Sequence, residues 1–212
     1  MATQKPQIRS TFATPVCVHY VPVAAEMNPE LRAQIVERMQ ANNGANGTHG
    51  QGWRSERDLD AWGGQHSQTL FRVLRELADS LTGTRSGGRV TLDWKISACV
   101  CVRQKGEYVE TSARPAAFWS GVYIVDDGYA KSDDAALGGE IELGDPRGVL
   151  PAMVAPHLAF RIPGGGNAGQ TEIIRPQGGM ILLHPSWQTR SERRYEGEGQ
   201  RVTVEFDLGV PI

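Results

Sequence analysis

After residue 85 the chain breaks into short apolar runs separated by turn signals, and this constrains its fold more than any other feature. The runs fall at 90–96, 98–103, 117–125, 140–143, 172–174, 180–183 and 201–208. Some alternate apolar with polar residues and others are continuously apolar, the patterns of strands buried on one face and on both. Lys105-Gly106, Asp126-Asp127-Gly128, Gly138-Gly139, Gly164-Gly165-Gly166 and Gln177-Gly178-Gly179 punctuate them, supplying residues that tolerate turn conformations. Short strands at this spacing, with no helical pattern between them, predict an antiparallel sandwich or barrel.

The first third has a different period. Asn28-Pro29-Glu30 predicts a helix start, with Asn as cap and Pro at the first helical position. Leu31, Ile35 and Met39 follow at a four-residue spacing, and Asn42-Asn43-Gly44 predicts the stop. A second helix is expected over about 67–81, where Leu70, Phe71, Leu74, Leu77, Ala78 and Leu81 form one stripe and Gly83 closes it. Residues 42–66, rich in Gly, Asn and His with two tryptophans, are expected to be a long ordered loop. With no repeat or linker, a single domain over 1–212 is expected: a helical support region and loop at 1–85 and a β core at 86–212. The fold class is mainly β with N-terminal helices packed on one sheet.

Composition excludes several functions. The 22 Lys+Arg against 24 Asp+Glu leave a net charge of −2, without the basic excess of a nucleic-acid-binding surface. The apolar stretches are far shorter than the roughly 20 residues that span a bilayer, so no membrane partner is expected. Three cysteines make no disulfide framework, and the polar opening MATQKPQIRS has no apolar signal segment, so a cytoplasmic location is expected.

Few local motifs carry chemistry. No phosphate loop, GxGxxG, GxSxG, HExxH or paired CxxC occurs. His19, His49, His66, His157 and His184 are scattered, so no metal ligand set is assigned. Cys99 and Cys101 lie on one face of a strand, readable as a thiol or soft-metal pair or as two small buried residues in a barrel interior. Asp126-Asp127 and Asp133-Asp134 lack the alternation of a Ca²⁺ loop and fit solvated turns.

A set of landmarks then occurs in order: Phe12-Ala13-Thr14-Pro15-Val16, Gly52-Trp53-Arg54-Ser55 with Asp58-Leu59, Gly106-Glu107-Tyr108, Phe118-Trp119-Ser120-Gly121-Val122-Tyr123, Asp145-Pro146-Arg147, Pro185-Ser186-Trp187 and Arg201-Val202-Thr203-Val204-Glu205-Phe206. Over residues 11–208 these resemble a short bacterial and phage branch of the 2-oxoglutarate/Fe(II)-dependent dioxygenases. The resemblance implies a double-stranded β-helix, the cupin-like jelly-roll barrel. It also implies an iron held by three His or carboxylate side chains with positions open for 2-oxoglutarate and O₂. Carried onto this chain, those ligand positions fall on Ser112, Arg114 and Arg190, none of which donates a lone pair to a dication as a His or carboxylate does.

Three functions follow as expectations. The first is a protein without cofactor that binds a small carboxylate or phosphate through Arg114, Arg190 and Arg201, with Ser112, Tyr123 and Cys101 in the pocket wall. Glu110 or Tyr108 would then serve as base or acid in a non-oxidative reaction such as cyclisation, isomerisation or elimination. The resemblance places Arg201 near the Arg that grips the far carboxylate of 2-oxoglutarate. The second is a working oxygenase using Fe(II) and 2-oxoglutarate, with ligands relocated to groups such as Glu110 and His184. The third is a non-catalytic binding or structural protein, with a homodimer among its forms.

Overall fold

The computed structural model describes residues 11–41, 45–46, 52–149, 153–158 and 169–210. Asn42–Gly44, His49 and Gly164–Gly166, singled out above, lie outside the described residues. In chain order the elements are β1 (Cys17–Tyr20), α1 (Ala24–Ala41), β2 (Ala45–Asn46), β3 (Trp53–Arg54), α2 (Leu59–Trp62), α3 (Gly64–Leu81), β4 (Lys95–Arg103), β5 (Val109–Ser112), β6 (Trp119–Asp126), β7 (Ile141–Leu143), β8 (Glu172–Ile174), β9 (Met180–Pro185), β10 (Arg190–Glu192) and β11 (Arg201–Gly209). A 3-10 turn at Ala135–Leu137 precedes β7.

Two antiparallel sheets face each other. One has the order β1-β9-β6-β11-β4-β3-β2, the other β5-β10-β7-β8. The N-terminal region thus supplies helices and also three strands of the larger sheet. The central strands of that sheet are buried on both faces, which explains their long apolar runs. Tyr123 and Val125 of β6, Ile181 and Leu183 of β9, and Val204, Phe206 and Leu208 of β11 pack against Leu31 and Ile35 of α1 and Leu70 and Leu74 of α3. The alternate residues Val122, Ile124, Met180 and Leu182 point between the sheets and meet Ile141 and Leu143 of β7. Period two on each strand therefore feeds two cores, one under the helices and one inside the barrel.

The helices depart from expectation at one end. α1 begins at Ala24, four residues before Asn28, and Pro29 sits inside it. Asn28 is not a cap, because its side chain is engaged with β6: Nδ2 donates to the Val125 carbonyl at 2.8 Å and Oδ1 accepts from the Tyr123 hydroxyl. Tertiary contact outweighs the local start signal. Asn28→Ala should leave the buried Tyr123 hydroxyl unpaired and cost about 1–2 kcal/mol in a urea melt; an unchanged midpoint would refute this role. The run at 90–96 also shortens, since only Lys95 and Ile96 join β4. The buried Trp94 instead donates its indole N–H to Asp79 at 2.7 Å, tying the entry of β4 to α3.

Among the described residues no helix is long and apolar enough to cross a membrane.

Candidate functional site: an arginine cluster inside the barrel

On β11 the apolar Val204, Phe206 and Leu208 face the helices, so Thr203, Glu205 and Asp207 face the barrel interior by the two-residue period. β4 is in register with it, placing Cys99 opposite Glu205 and Cys101 opposite Thr203. Glu205, 5% exposed, is the centre of the interior. Its Oε1 lies 2.9 Å from Arg103 and 3.0 Å from Arg190, and its Oε2 lies 2.9 Å from Arg54 and 3.7 Å from Arg114. Arg190 comes from the opposite sheet, so this carboxylate ties the two sheets together. Arg103 also reaches Glu192 at 3.3 Å, and Arg57 pairs with Asp207, which accepts from Ser120 at 2.7 Å.

Charge does not balance here. Five guanidiniums (Arg54, Arg57, Arg103, Arg114, Arg190) face three carboxylates (Glu192, Glu205, Asp207). Burial alone would push the Glu205 carboxyl up, but the guanidiniums of Arg190, Arg103, Arg54 and Arg114 outweigh burial and hold it well below the usual carboxylate range. A thiol lies among these charges: Arg54 donates to the Cys99 sulfur at 3.0 Å, and the adjacent Cys101 thiol with the guanidiniums of Arg54 and Arg57 draws the Cys99 pKa down against burial, while the closeness of Cys99 and burial push that of Cys101 up. Even with Cys99 as thiolate the cluster keeps net positive charge, and a buried site with unmatched guanidiniums favours an anion.

Two connected spaces reach the cluster. A gap of about 20 Å³ at the barrel centre is lined by Ser112, Arg114, His184, Arg190, Glu205 and Asp207, among others. Beside it a cavity of about 420 Å³ includes Lys95, Ser97 and Pro115 and shares Arg114 and Asp207 with the gap. Arg114 stands at the junction, its side chain 44% exposed.

The structure brings some of the expected residues to this place and not others. Ser112, Arg114 and Arg190 converge, with Ser112 and Arg190 in register on β5 and β10. Cys101 is buried and its sulfur lies beside Cys99 and Glu205. Arg201 does not line the gap: its guanidinium lies between the rings of Tyr195 (4.6 Å) and Tyr129 (4.8 Å) and donates to the carbonyls of Asp127 (3.0 Å) and Gly139 (2.5 Å). These carbonyls take Nε and Nη1, one donor from each edge of the guanidinium, and leave Nη2 as its unpaired donor. Gly139, at φ +74°, makes room for it, since a Cβ there would overlap the guanidinium. Tyr123 points the other way, into α1. Glu110 is exposed and Tyr108 lies against Arg194, so neither reaches the gap. The pairing of Glu110 with His184 as relocated ligands therefore does not form.

Arg103, which the resemblance places in the pocket wall beside Cys101, is at the centre of the cluster, whereas Arg54, Arg57, Glu205 and Asp207 were absent from the expected site. For Glu205 and Asp207 the signal was the alternation Arg201-Val202-Thr203-Val204-Glu205-Phe206-Asp207-Leu208, which marks one polar face without saying whether it faces water or the barrel.

Cys99, Cys101 and Glu205 form the group of metal-ligating side chains found among the described residues, their donor atoms within 4.8 Å of one another.

The family described as "Putative 2OG-Fe(II) oxygenase" matches residues 97–207. The chain is similar in structure to a Pseudomonas putida prolyl-4-hydroxylase (TM-score 0.63, 10% identity, 94% of this chain and 93% of that one). It is similar also to a Trichoplax adhaerens prolyl hydroxylase (TM-score 0.64, 12% identity, 92% and 83%). A third likeness is to HygX of Streptomyces hygroscopicus with nickel and 2-oxoglutarate bound (TM-score 0.61, 12% identity, 94% and 84%). No curated protein sequence matches the chain. These likenesses show the expected double-stranded β-helix. They also correct one expectation: the matched family is named for 2-oxoglutarate and Fe(II), and HygX has been solved with iron bound, so the expectation of no cofactor is overturned and Fe(II) is the group the family points to. The side chains at 112, 114 and 190 do not fit that ion, because a hydroxyl and two guanidiniums offer a dication no donor set. The Cys99, Cys101 and Glu205 group offers donors, but both oxygens of Glu205 already face guanidiniums.

Proposed function

Since the chain belongs to the 2OG-Fe(II) oxygenase family, we propose that its barrel binds a small carboxylate, of the size of 2-oxoglutarate or succinate, through guanidiniums. One observation carries this reading: a cluster of five guanidiniums and three carboxylates, of which Arg57, Arg114, Arg190, Glu205 and Asp207 line the central gap, lies beside a cavity of about 420 Å³ that shares Arg114 with that gap. Arg114 is the first contact. It stands at the junction of the two spaces, is half exposed, and its one close carboxylate is 3.7 Å away, so its donors are available to a bidentate partner. Lys95 in the larger cavity offers charge to a second carboxylate of the ligand.

The test is a thermal-shift and calorimetric titration of the full chain with succinate and 2-oxoglutarate. A ligand bound only by the folded state raises the melting temperature with concentration. Arg114→Gln should weaken the affinity about tenfold to a hundredfold, the worth of a charge-assisted contact, while changing the stability of the unliganded protein by no more than about 1 kcal/mol. No response to either acid, or a response unchanged in Arg114→Gln, refutes the reading.

A second reading, an oxygenase whose ion is held by other donors, is favoured by the Cys99, Cys101 and Glu205 group. It requires about one equivalent of Fe(II) retained by the parent and lost in Cys99→Ser.

A further inference from the structure

Resting on the carboxylate-binding reading, we propose that the ligand is a 2-hydroxy acid whose hydroxyl donates to Nε2 of His184. His184 is the last inward-facing residue of β9, paired across the sheet with Ser120 of β6 and 3% exposed. Its Nδ1 lies 3.0 Å from the Pro185 carbonyl oxygen. A carbonyl only accepts, so Nδ1 carries the ring proton and Nε2 presents a bare lone pair. That atom is buried, belongs to a residue lining the central gap, and has no hydrogen-bond partner. Buried polar atoms are almost always paired, so this one marks where a donor enters.

The surroundings decide what kind of donor. Ser120 is committed to Asp207, and Asp207 also holds Arg57, so the neighbouring side chains do not supply it. A 20 Å³ gap takes one water-sized group. The body of a ligand therefore stays in the 420 Å³ cavity, its carboxylate on Arg114 at the junction, and a single small substituent reaches inward. A carboxylate oxygen or a keto oxygen would set lone pair against lone pair at Nε2. An ammonium would donate, but the excess of guanidiniums repels it. A hydroxyl on the carbon next to the carboxylate meets both requirements.

The experiment compares pairs of acids that differ by that hydroxyl, malate against succinate and lactate against propionate, by calorimetry on the full chain. The hydroxy acids should bind about three- to tenfold more tightly, the worth of one hydrogen bond. The advantage should vanish in His184→Leu and persist in His184→Gln, which keeps an acceptor. Should His184→Leu fail to fold, 2-fluoropropionate against lactate on the unaltered protein asks the same question, because fluorine is close to the hydroxyl in size and carries no proton, so lactate should keep its advantage. Equal affinity for the members of each pair means that water satisfies His184, and overturns this inference alone. Failure of every acid to bind overturns the carboxylate reading and this inference with it.

Discussion

Glu205→Gln is expected to destabilise the fold by about 3–5 kcal/mol, the cost of leaving buried charges without their partner. The substitution changes almost no volume, so packing does not contribute. It removes the one negative charge that Arg54, Arg103, Arg114 and Arg190 share and points an amide NH₂ at groups that are all donors. In a chain of 212 residues this corresponds to a fall of about 6–20 °C in melting temperature. Anions provide the diagnostic. Sulfate stabilises most proteins somewhat, but Glu205→Gln should gain more from it than the parent does, because sulfate can replace the missing charge. A loss below about 1 kcal/mol, or an equal sulfate response in the two proteins, would show that the guanidiniums are solvated rather than paired.

Acid should weaken the fold before its carboxylates titrate. Burial, with help from Arg190 and against a hydrogen bond to the Pro185 carbonyl and the charge of Asp207, pulls the His184 pKa from 6.5 down to about 4. The charged groups around it are Arg57, Arg114 and Arg190 with Glu205 and Asp207. In the unfolded chain the imidazole takes its proton near 6.5, in the folded one only near 4. Between these values the unfolded state binds the extra proton, so stability falls as the pH falls. The loss by pH 4.5 is about 2–3 kcal/mol. Glu205 adds its own loss below its ordinary value of 4.5, so the interval from 6.5 to 4.5 isolates the histidine. Urea midpoints across this interval should slope steeply in the parent and flatten in His184→Gln. A slope that survives the substitution would assign the effect elsewhere.

The longest strands found from sequence share a property that the missed ones lack. β4, β6, β9 and β11 are buried on both faces, so their residues announce burial whatever the neighbouring chain does. β5 (VETS) and β10 (RSE) carry no apolar pattern. They are strands because Arg190 pairs with Ser112 on one side and Leu143 on the other, and a pairing partner is not encoded locally. The same limit applies to α1. Its apolar spacing identified the helix, while its first turn depended on what Asn28 meets on β6.

For the site, order along the chain sufficed to bring Ser112, Arg114 and Arg190 together, because the spacing between landmarks follows the barrel. It failed for Arg201, which sits at the expected distance from Arg190 and yet lies between Tyr129 and Tyr195. A separation in sequence places a Cα on a strand and says nothing of where a long side chain ends.

Sequence alone determined the β architecture and the helical face, since residue type and period are local properties, while the resemblance carried by its landmarks led to Ser112, Arg114 and Arg190. Only the tertiary structure decided that Glu205 anchors those guanidiniums, that the polar face of β11 lies inside the barrel, and that His184 is left with an unpaired nitrogen. Each of these depends on strands distant in the chain closing around one another, and electrostatic energy is set by distances through space.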